Sequence, residues 1–361
     1  MRKDILYPFR CLHGQFYEGR IKCKRRFQLW KYITFPLGKK VYLLGTPSHR
    51  NIGDSAIVLS EKKFICSAGI RESQIVELTY NQLKQDEDFI VSHIGKRHLL
   101  CWHGGGNMGN QWLNEETLRR DIMMHFSDNP TVIFPQTIYY TSDEMGTEER
   151  DRSISIYNKR KALTLVAREK ISYEIMHQIY PDTSLILTPD IVLSATMKSF
   201  GVEPGEREGV LLCMRSDVER SILEETQTAI ISALQRKKLF YRRTDMYCDG
   251  IVTKENRLEK VKNKMEEFVH ARVVITDRLH GMVFSAITGT PCIVFSNYNH
   301  KVRGTYEWIK YLPYIRYAEN VEDMERYLPE LLEMENCIYD NTPLMPYFEK
   351  LAEVVRDYVN Y

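Results

Sequence analysis

The sequence of 361 residues lacks long apolar runs and paired cysteines. No stretch approaches the roughly 18 consecutive apolar residues that a membrane-spanning helix needs, and the first residues contain no signal-peptide core. The eight cysteines are scattered without a Cys-x-x-Cys pair, which indicates reduced thiols rather than disulfides or a zinc site. We therefore expect a cytoplasmic protein.

Two kinds of catalytic motif are missing as well. The sequence contains no His-x-x-x-His pair and no acidic cluster with the spacing of metal ligands, so we expect no required metal ion. The Gly-x-Ser-x-Gly turn that carries the nucleophile of an α/β-hydrolase is also absent. The candidate chemistry therefore rests on glycine turns, arginines and histidines.

Charge is distributed unevenly along a chain whose net charge is only +2. Residues 1–40 carry 11 Lys and Arg against two acids, so this basic leader has a charge of +9 and the remainder −7. Its basic cluster at 22–26 is followed by aromatic residues at 27–32, which fits either an anionic membrane surface or a solvated basic helix packed on the protein. No motif of a nucleic-acid reader accompanies the basic residues, so no nucleic-acid partner is expected.

The chain length predicts two domains of about 150 residues each. Apolar runs alternate with helical patterns, an arrangement that is typical of doubly wound parallel sheets. Strands are predicted at 41–44, 75–78, 99–102, 131–134, 163–167, 185–187, 210–213, 273–275 and 292–295. Helices are predicted at about 54–69, 170–180 and 219–234, and from residue 320 onward. We predict an α/β protein in which two Rossmann-like domains face a cleft.

The predicted organisation has four parts. The basic leader at 1–40 precedes a first Rossmann-like domain at 41–200. A turn-rich, charged linker at 203–209 opens a second domain at 201–340. The final segment, 341–361, is expected to be a helix that returns to the first domain.

Two glycine-containing turns follow predicted strands of the first domain. In parallel α/β sheets, ligands bind at the carboxyl ends of strands. Asn51 and Asp54 lie on the first turn, and the competing interpretation is that Asp54 merely caps the next helix. The second turn contains His103-Gly104-Gly105-Gly106, and its Gly104, Gly106 and Gly109 match the dinucleotide fingerprint Gly-x-Gly-x-x-Gly. The next strand ends in Gln136 rather than an acid, which makes NAD a minor hypothesis. A plain tight turn is the other alternative.

Arginines follow other predicted strands. Arg278-Leu279-His280 comes directly after an apolar run and opens an apolar helix, where a cation, a helix N-terminus and a group that titrates near neutral pH favour an anion site with acid/base capability. Arg215 follows a strand of the same domain, and Arg168 follows one of the first. Guanidinium groups bind carboxylate and phosphate through paired hydrogen bonds.

Taken in order, these pieces resemble the polysaccharide pyruvyl transferase family. Each piece alone is weak, and the ordered set, over roughly residues 41 to 295, is specific. The matching positions are Asn51-Ile52-Gly53-Asp54, Gly104-Gly105-Gly106, Pro135-Gln136, Arg168-Glu169 with Ser172, Pro189-Asp190, Arg215 and Arg278-Leu279-His280. The basic leader has no counterpart among these motifs.

The resemblance implies a GT-B-like fold and a pyruvate ketal made on a sugar of an exopolysaccharide, capsule or cell-wall glycan, or on its lipid-linked precursor. Phosphoenolpyruvate is then the co-substrate, with no other cofactor. The implied donor-binding residues are Arg215, Arg278, Leu279 and His280. The implied acceptor-binding residues are Asn51, Asp54, His103, Gly104, Gly105, Gly106 and Gln136. His280 and Asp54 are the implied catalytic residues, and Arg168 is a further candidate.

Two other functions stay open from the sequence. A GT-B nucleotide-sugar glycosyltransferase would use Arg278 and His280 to hold a diphosphate. A non-catalytic carbohydrate-binding protein would use the glycine turns as its recognition surface. A lipid-linked acceptor would give the basic leader a purpose, because the leader could hold the enzyme on the inner face of the membrane.

Overall fold

The computed structural model of the chain describes residues 7–35, 37–215, 224–296 and 300–360. These residues form two parallel β-sheets covered by helices, which confirms the predicted α/β class with two Rossmann-like sheets. None of the helices within these ranges combines the length and the apolar character needed to cross a bilayer.

The first sheet has the strand order β2-β1-β3-β5-β6-β7, and β4 pairs with the extended end of β5. All of its neighbouring strands are parallel. Its strands are β1 Val41–Thr46, β2 Ile75–Thr79, β3 Leu99–Trp102, β4 Gly105–Gly109, β5 Thr131–Tyr139, β6 Leu163–Ala167 and β7 Ser184–Leu187. The helices of this half are α1 Tyr7–Thr34, α2 Ile52–Ser67, α3 Tyr80–His93, α4 Leu113–His125, α5 Glu144–Tyr157 and α6 Lys170–Ile179.

The second sheet is smaller and has the order β12-β11-β10-β8-β9, again with parallel pairs. Its strands are β8 Val210–Cys213, β9 Tyr241–Thr244, β10 Val273–Thr276, β11 Cys292–Phe295 and β12 Ile315–Ala318. The helices that follow β7 along the chain are α7 Glu224–Arg236, α8 Arg257–Val269, α9 Leu279–Thr288, α10 Lys301–Ile309, α11 Val321–Glu333 and α12 Met345–Asn360.

In each sheet, the strand order reverses at the strand that comes first along the chain. In the first sheet β1 lies between β2 and β3, and in the second β8 lies between β9 and β10. The loops that leave such a pair of strands diverge to opposite faces of the sheet, which opens a crevice at the carboxyl ends. The fold therefore provides two crevices, one for each sheet.

A continuous apolar core joins the two halves. Ile52 and Ala56 of α2 belong to the same buried cluster as Met282 and Val283 of α9. Helix α9 is buried along its whole length and ends at Gly289, whose φ of 62° allows the chain to turn away. The N-termini of α2 and α9 are consequently brought close together.

Two predicted element boundaries are wrong. Helix α2 begins at Ile52, two residues before the predicted start, because Asn51 rather than Asp54 is its N-cap and accepts the Gly53 N–H at 2.9 Å. Strand β5 does not end at Pro135 but continues to Tyr139. The strand tolerates the proline because its pairing with β6 shifts register between Ile133 and Gln136, so no ladder hydrogen bond needs the missing N–H.

Three strands lack a sequence pattern that identifies them. Strand β4 consists mainly of glycine and polar residues, and Gly105, expected in a loop, begins it. Strands β9 and β12 are edge strands with arginine and tyrosine instead of an apolar run. Helix α7 begins at Glu224, and residues 219–223 of the predicted helix lie outside the described residues.

The connections between the halves use two segments. Residues 203–209 contain no helix or strand and lead from the first sheet into β8. After α11 the chain returns to the first half, where Phe348 of α12 packs against Phe64 of α2. The Tyr358 hydroxyl lies 3.2 Å from the hydroxyl of Thr164 in β6.

A buried ion pair also links the halves. The Arg257 guanidinium at the start of α8 donates to the Glu77 carboxylate of β2 at 2.8 Å, and both side chains are 3% exposed. Burial alone would raise the pKa of Glu77, but the charges of Arg257 and Lys254 outweigh it and lower that pKa. Glu77 therefore stays ionised and bound.

We expect Arg257→Ala to lower the free energy of unfolding by at least about 2 kcal/mol, because it leaves a buried carboxylate with only weaker partners. Because the folded-state pKa of Glu77 is depressed, the difference should be largest above pH ~5 and should shrink as the pH falls below about 4. Thermal denaturation as a function of pH measures both effects. The exposed Arg242→Ala serves as the control, and equal losses in the two variants would contradict the prediction.

Candidate functional site

The two crevices open into one pocket of about 250 Å³. Its walls come from the loops after β1 and β3 of the first sheet and from those after β8, β9 and β10 of the second. The loop at Asn51 is fastened to the loop at Tyr247 by an antiparallel bridge, in which Ile52 N–H donates to the Met246 carbonyl at 2.8 Å. The pocket is thus a joint product of both halves.

All of the predicted site residues are described, and only Gln136 lies outside the lining of this pocket. Those that line it are Asn51, Asp54, His103, Gly104, Gly105, Gly106, Arg168, Arg215, Arg278, Leu279 and His280. The Gln136 side chain is fully buried and donates to the His103 carbonyl at 2.8 Å. Gln136 thereby supports the backbone of the glycine loop from below.

His280 lies where the two helix N-termini meet. A side chain at Gly53 of α2 would overlap the imidazole, so the glycine is required for this close approach. The ring Nε2 lies 3.6 Å from Oδ2 of Asp190, the residue that follows β7 and Pro189. Asp190 was recognised only as part of the family pattern, yet it is the carboxylate that faces the histidine.

Asp190 is buried but remains ionised. Burial pushes its pKa upward, whereas His280, the Arg168 guanidinium and the Val192 N–H outweigh burial and lower the pKa to about 2. The Arg168 Nη1 donates to Asp190 at 3.1 Å, and its Nε donates to Thr137 at 2.7 Å. Ionised Asp190 therefore adds stability above pH ~4, which is lost as the pH falls toward 2. Its fixed negative charge orients His280 at any working pH.

A second buried histidine–carboxylate pair lies on the first-sheet side. Glu61 of α2 accepts from His103 Nδ1 at 2.8 Å and from the Gly104 N–H at 2.7 Å. Burial favours a lower pKa for His103, but the charge and hydrogen bond of Glu61 outweigh burial and raise it. Glu61 has no sequence signal, because Ser60-Glu61-Lys62-Lys63 has the pattern of an ordinary solvent-exposed helix surface. Glu61 thus favours the protonated form of His103 beside the glycine loop.

The second-sheet side contributes two arginines. Arg278 lies over the ring of Tyr247 at 5.5 Å, and its Nε donates to Asp245 at 2.7 Å. Arg215 is 7% exposed, and its backbone N–H donates to Asp277 at 2.8 Å. Burial raises the pKa of Asp277, although Arg215 and the neighbouring charges oppose the rise.

Several lining residues were not predicted. They are Pro47, Asn107, Trp112, Glu115, Met246, Tyr247 and Lys301. His49, which lies on the same glycine turn as Asn51, lines the pocket as well. Lys301 begins α10, shortly after β11, and the rule that ligands bind at strand ends would have found it. Tyr247 could not be found in this way because β9 has no apolar pattern. Asn107 and Glu115 are hydrogen-bonded to each other and are joined to the buried Arg119.

The pocket is electropositive. Among the described lining residues, four carry fixed positive charges (Arg168, Arg215, Arg278 and Lys301) and two are carboxylates. The N-terminal turn of α9, which includes Leu279 and His280, adds N–H groups that have no partner within the helix. Across the described ranges, no three His, Cys, Asp or Glu side chains come together to hold a metal ion. The arrangement suits a small, multiply charged anion.

The chain is similar to known proteins over most of its length. A family model described as polysaccharide pyruvyl transferase matches residues 51–300. "General stress protein 30" of Bacillus subtilis is 32% identical over 319 residues, which cover 86% of this chain and 91% of that protein. "Pyruvyl transferase 1" of Schizosaccharomyces pombe is 30% identical over 275 residues, which cover 72% of this chain and 66% of the yeast protein.

Among solved structures, the crystal structure of an uncharacterized Klebsiella pneumoniae protein superposes with a TM-score of 0.55 at 15% identity. The match covers 82% of this chain and 98% of that one. A likeness at this identity concerns the fold alone. The two Rossmann-like sheets that face one cleft form a GT-B-like fold.

We expect Glu61→Gln to lower the pKa of His103, because the substitution removes the negative charge that opposes burial. NMR titration of the histidine side chains measures this change. His98 is the internal control, since burial lowers its pKa to about 4 without help from Glu61. If His103 titrates identically in both proteins, Glu61 is not the group that holds its proton.

Proposed function

The chain belongs to the polysaccharide pyruvyl transferase family, and on this premise we propose that it transfers the enolpyruvyl group of phosphoenolpyruvate to a sugar. The acceptor is a sugar of an exopolysaccharide, capsule or cell-wall glycan, or of its lipid-linked precursor, and the product is a pyruvate ketal. One observation carries the proposal: four cations and a helix N-terminus line a single small pocket together with His280, whose ring lies 3.6 Å from the buried Asp190.

The donor carries a phosphate and a carboxylate, and both groups need cationic partners. Arg215 and Arg278 are suited to clamp them, because guanidinium groups form paired, charge-assisted hydrogen bonds with such oxygens. The N–H groups of Leu279 and His280 can add hydrogen bonds at the start of α9. Lys301 supplies a further charge that the sequence analysis did not include.

Ketal formation begins when a proton is added to the methylene carbon of the donor, which becomes a methyl group. The adjacent carbon gains oxocarbenium character and is attacked by one sugar hydroxyl, which loses its proton. The bond between this carbon and the phosphate oxygen then breaks, and a second hydroxyl closes the ketal as it too loses a proton. One proton is consumed and two are released, one of which leaves with the phosphate as hydrogen phosphate.

His280 is the group assigned to the proton transfers. Imidazole can give a proton and take one back near neutral pH. Asp190 lies 3.6 Å from Nε2 and orients the ring. On the opposite wall, Asp54 is assigned to receive the proton of the acceptor hydroxyl, and His103 and the Gly104–Gly106 backbone are assigned to hold the acceptor sugar.

The size of the pocket favours this donor over a nucleotide sugar. A volume of about 250 Å³ lies below the roughly 300–1,000 Å³ of ordinary ligand pockets. Phosphoenolpyruvate is several times smaller than a nucleotide sugar and brings more negative charge for its size. A nucleotide-sugar glycosyltransferase remains the alternative that the binding experiment must separate.

We expect calorimetric titration to show saturable binding of phosphoenolpyruvate by the wild-type protein and none of a UDP- or GDP-sugar. Arg215→Ala and Arg278→Ala should each weaken binding by about 1.5–3 kcal/mol, the typical worth of a hydrogen bond to a charged group, or roughly tenfold to a hundredfold. Arg243→Ala, an exposed arginine on β9, is the matched control. Tight binding of a nucleotide sugar with no response to phosphoenolpyruvate would reverse the assignment.

His280→Ala should lower kcat by about 10²–10⁴, the usual worth of general acid–base catalysis, with a smaller change in donor affinity. Asp190→Asn should also lower kcat, since the ring loses its ionised partner, whereas the exposed Asp182→Asn should not. Phosphate release from phosphoenolpyruvate in the presence of acceptor sugars measures turnover. A carbohydrate-binding protein without activity would show no release in any variant and unaltered sugar binding in His280→Ala.

A further inference from the structure

Helix α1 is attached to the protein along one side. Leu29 and Ile33 are buried against the first half, with exposures of 5% and 1%. Asp86 of α3 accepts hydrogen bonds from both Arg25 and Arg26, at 2.7 Å from Arg25 Nε and 3.1 Å from Arg26 Nε. The last turns of α1 therefore lie at a fixed position on α3.

An apolar patch lies away from this attached side. It is defined here as Phe27 and Trp30 of α1 together with Phe35 and Leu37, which follow the helix. Because an α-helix has about 3.6 residues per turn, Phe27 and Trp30 point away from the side of α1 on which Leu29 and Ile33 are buried. Phe27 is 56% exposed, Phe35 51% and Leu37 79%. Trp30 joins the aromatic rings of the patch, since it stacks on Phe27 at 5.9 Å and meets Phe35 edge-on at 5.9 Å.

Positive charge surrounds this patch. Between residues 19 and 40 the sequence has eight Lys and Arg and no Asp or Glu. Arg20, Lys22, Lys24 and Lys31 are exposed. The Lys31 Nζ lies 4.6 Å above the ring of Phe27, so charge and apolar surface are directly adjacent.

We propose that the outward side of α1 binds an anionic lipid bilayer. Aromatic rings are favoured at the level of lipid headgroups, and flanking lysines are attracted to the negative surface potential there. A second copy of the chain is a poorer partner, because it would bring two strongly basic surfaces together. The exposed aliphatic side chain of Leu37 has no use in binding a nucleic acid, whereas it can enter the acyl boundary.

The location of the surface is consistent with a role separate from catalysis. The family model matches the chain from residue 51 onward, so α1 lies before the matched residues. Binding to the bilayer would hold the enzyme where a lipid-linked acceptor resides, and that consequence alone rests on the proposed function. Lipid binding itself requires neither phosphoenolpyruvate nor a sugar.

Co-sedimentation of the full chain with vesicles tests the proposal. The wild-type protein should bind vesicles of phosphatidylglycerol mixed with phosphatidylcholine and should not bind phosphatidylcholine alone. Phe27→Ser, which removes an apolar anchor, and the double variant Lys24→Glu/Lys31→Glu, which reverses two charges on the same side of α1, should each weaken binding at least about tenfold. Salt should weaken binding by the wild-type protein.

Matched controls distinguish binding through this surface from nonspecific binding of the protein to vesicles. Ile251→Ser removes another apolar side chain that is 78% exposed, and Lys159→Glu/Lys161→Glu repeats the double charge reversal at two other exposed positions. Both should bind vesicles like the wild-type protein. All changed side chains are exposed, so equal thermal unfolding should accompany every variant.

Three results would overturn the proposal: no binding to the anionic vesicles, equal weakening in controls and test variants, or dimers that Phe27→Ser dissociates. Preference for single-stranded oligonucleotides over the vesicles would likewise replace the lipid with a nucleic acid. Calorimetry with phosphoenolpyruvate on the same proteins keeps the two proposals apart. A wild-type protein that binds phosphoenolpyruvate but not the anionic vesicles rejects only the membrane surface, and one that binds the vesicles but not phosphoenolpyruvate rejects only the donor.

Discussion

The contact between His280 and Asp190 joins the two halves of the chain, and the rest of the site depends on it. The histidine is carried by α9 of the second sheet, whereas the carboxylate follows β7 of the first, and 3.6 Å separates their closest atoms. A small rotation of one sheet against the other would give the imidazole a different partner. The close packing of Gly53 on the ring and the buried Glu77–Arg257 pair both oppose such a rotation.

The pocket can hold several cations in a small volume because carboxylates lie beside or behind them. Arg168 is paired with Asp190, and Arg278 is paired with Asp245. These pairs limit the repulsion among the cations, which would otherwise oppose folding. Glu61 does the same for His103, with the added effect that it also fixes the backbone at Gly104. The charge that a ligand meets is therefore arranged before the ligand arrives.

Most of the fold was predictable where burial on both faces of a strand requires a continuous apolar run. The segments Val273–Thr276 and Cys292–Phe295 are of this kind, and each lies in the interior of its sheet. An edge strand does not need an apolar residue at every position. The edge strands Tyr241–Thr244 and Ile315–Ala318 therefore carry polar residues and were not predicted. Pro135 predicts the end of a strand, but strand β5 continues through it. The missing N–H of a proline ends a strand only where the register requires a hydrogen-bond donor at that position.

The sequence by itself determined that Arg278, Leu279 and His280 follow a buried strand and begin a helix, and that glycine turns follow two strands of the other half. These features are local, because the end of a strand and the start of a helix are determined mainly by residues that are neighbours in the sequence. Only the tertiary structure decided which distant groups meet them: Glu61 lies 42 residues before His103, and Asp190, Lys301 and Tyr247 come from three other loops. It also buried Gln136 beneath the loop that it supports and turned one side of α1 toward the protein. The physical reason is that such partners are chosen by the packing of two sheets against each other, which no short stretch of sequence encodes.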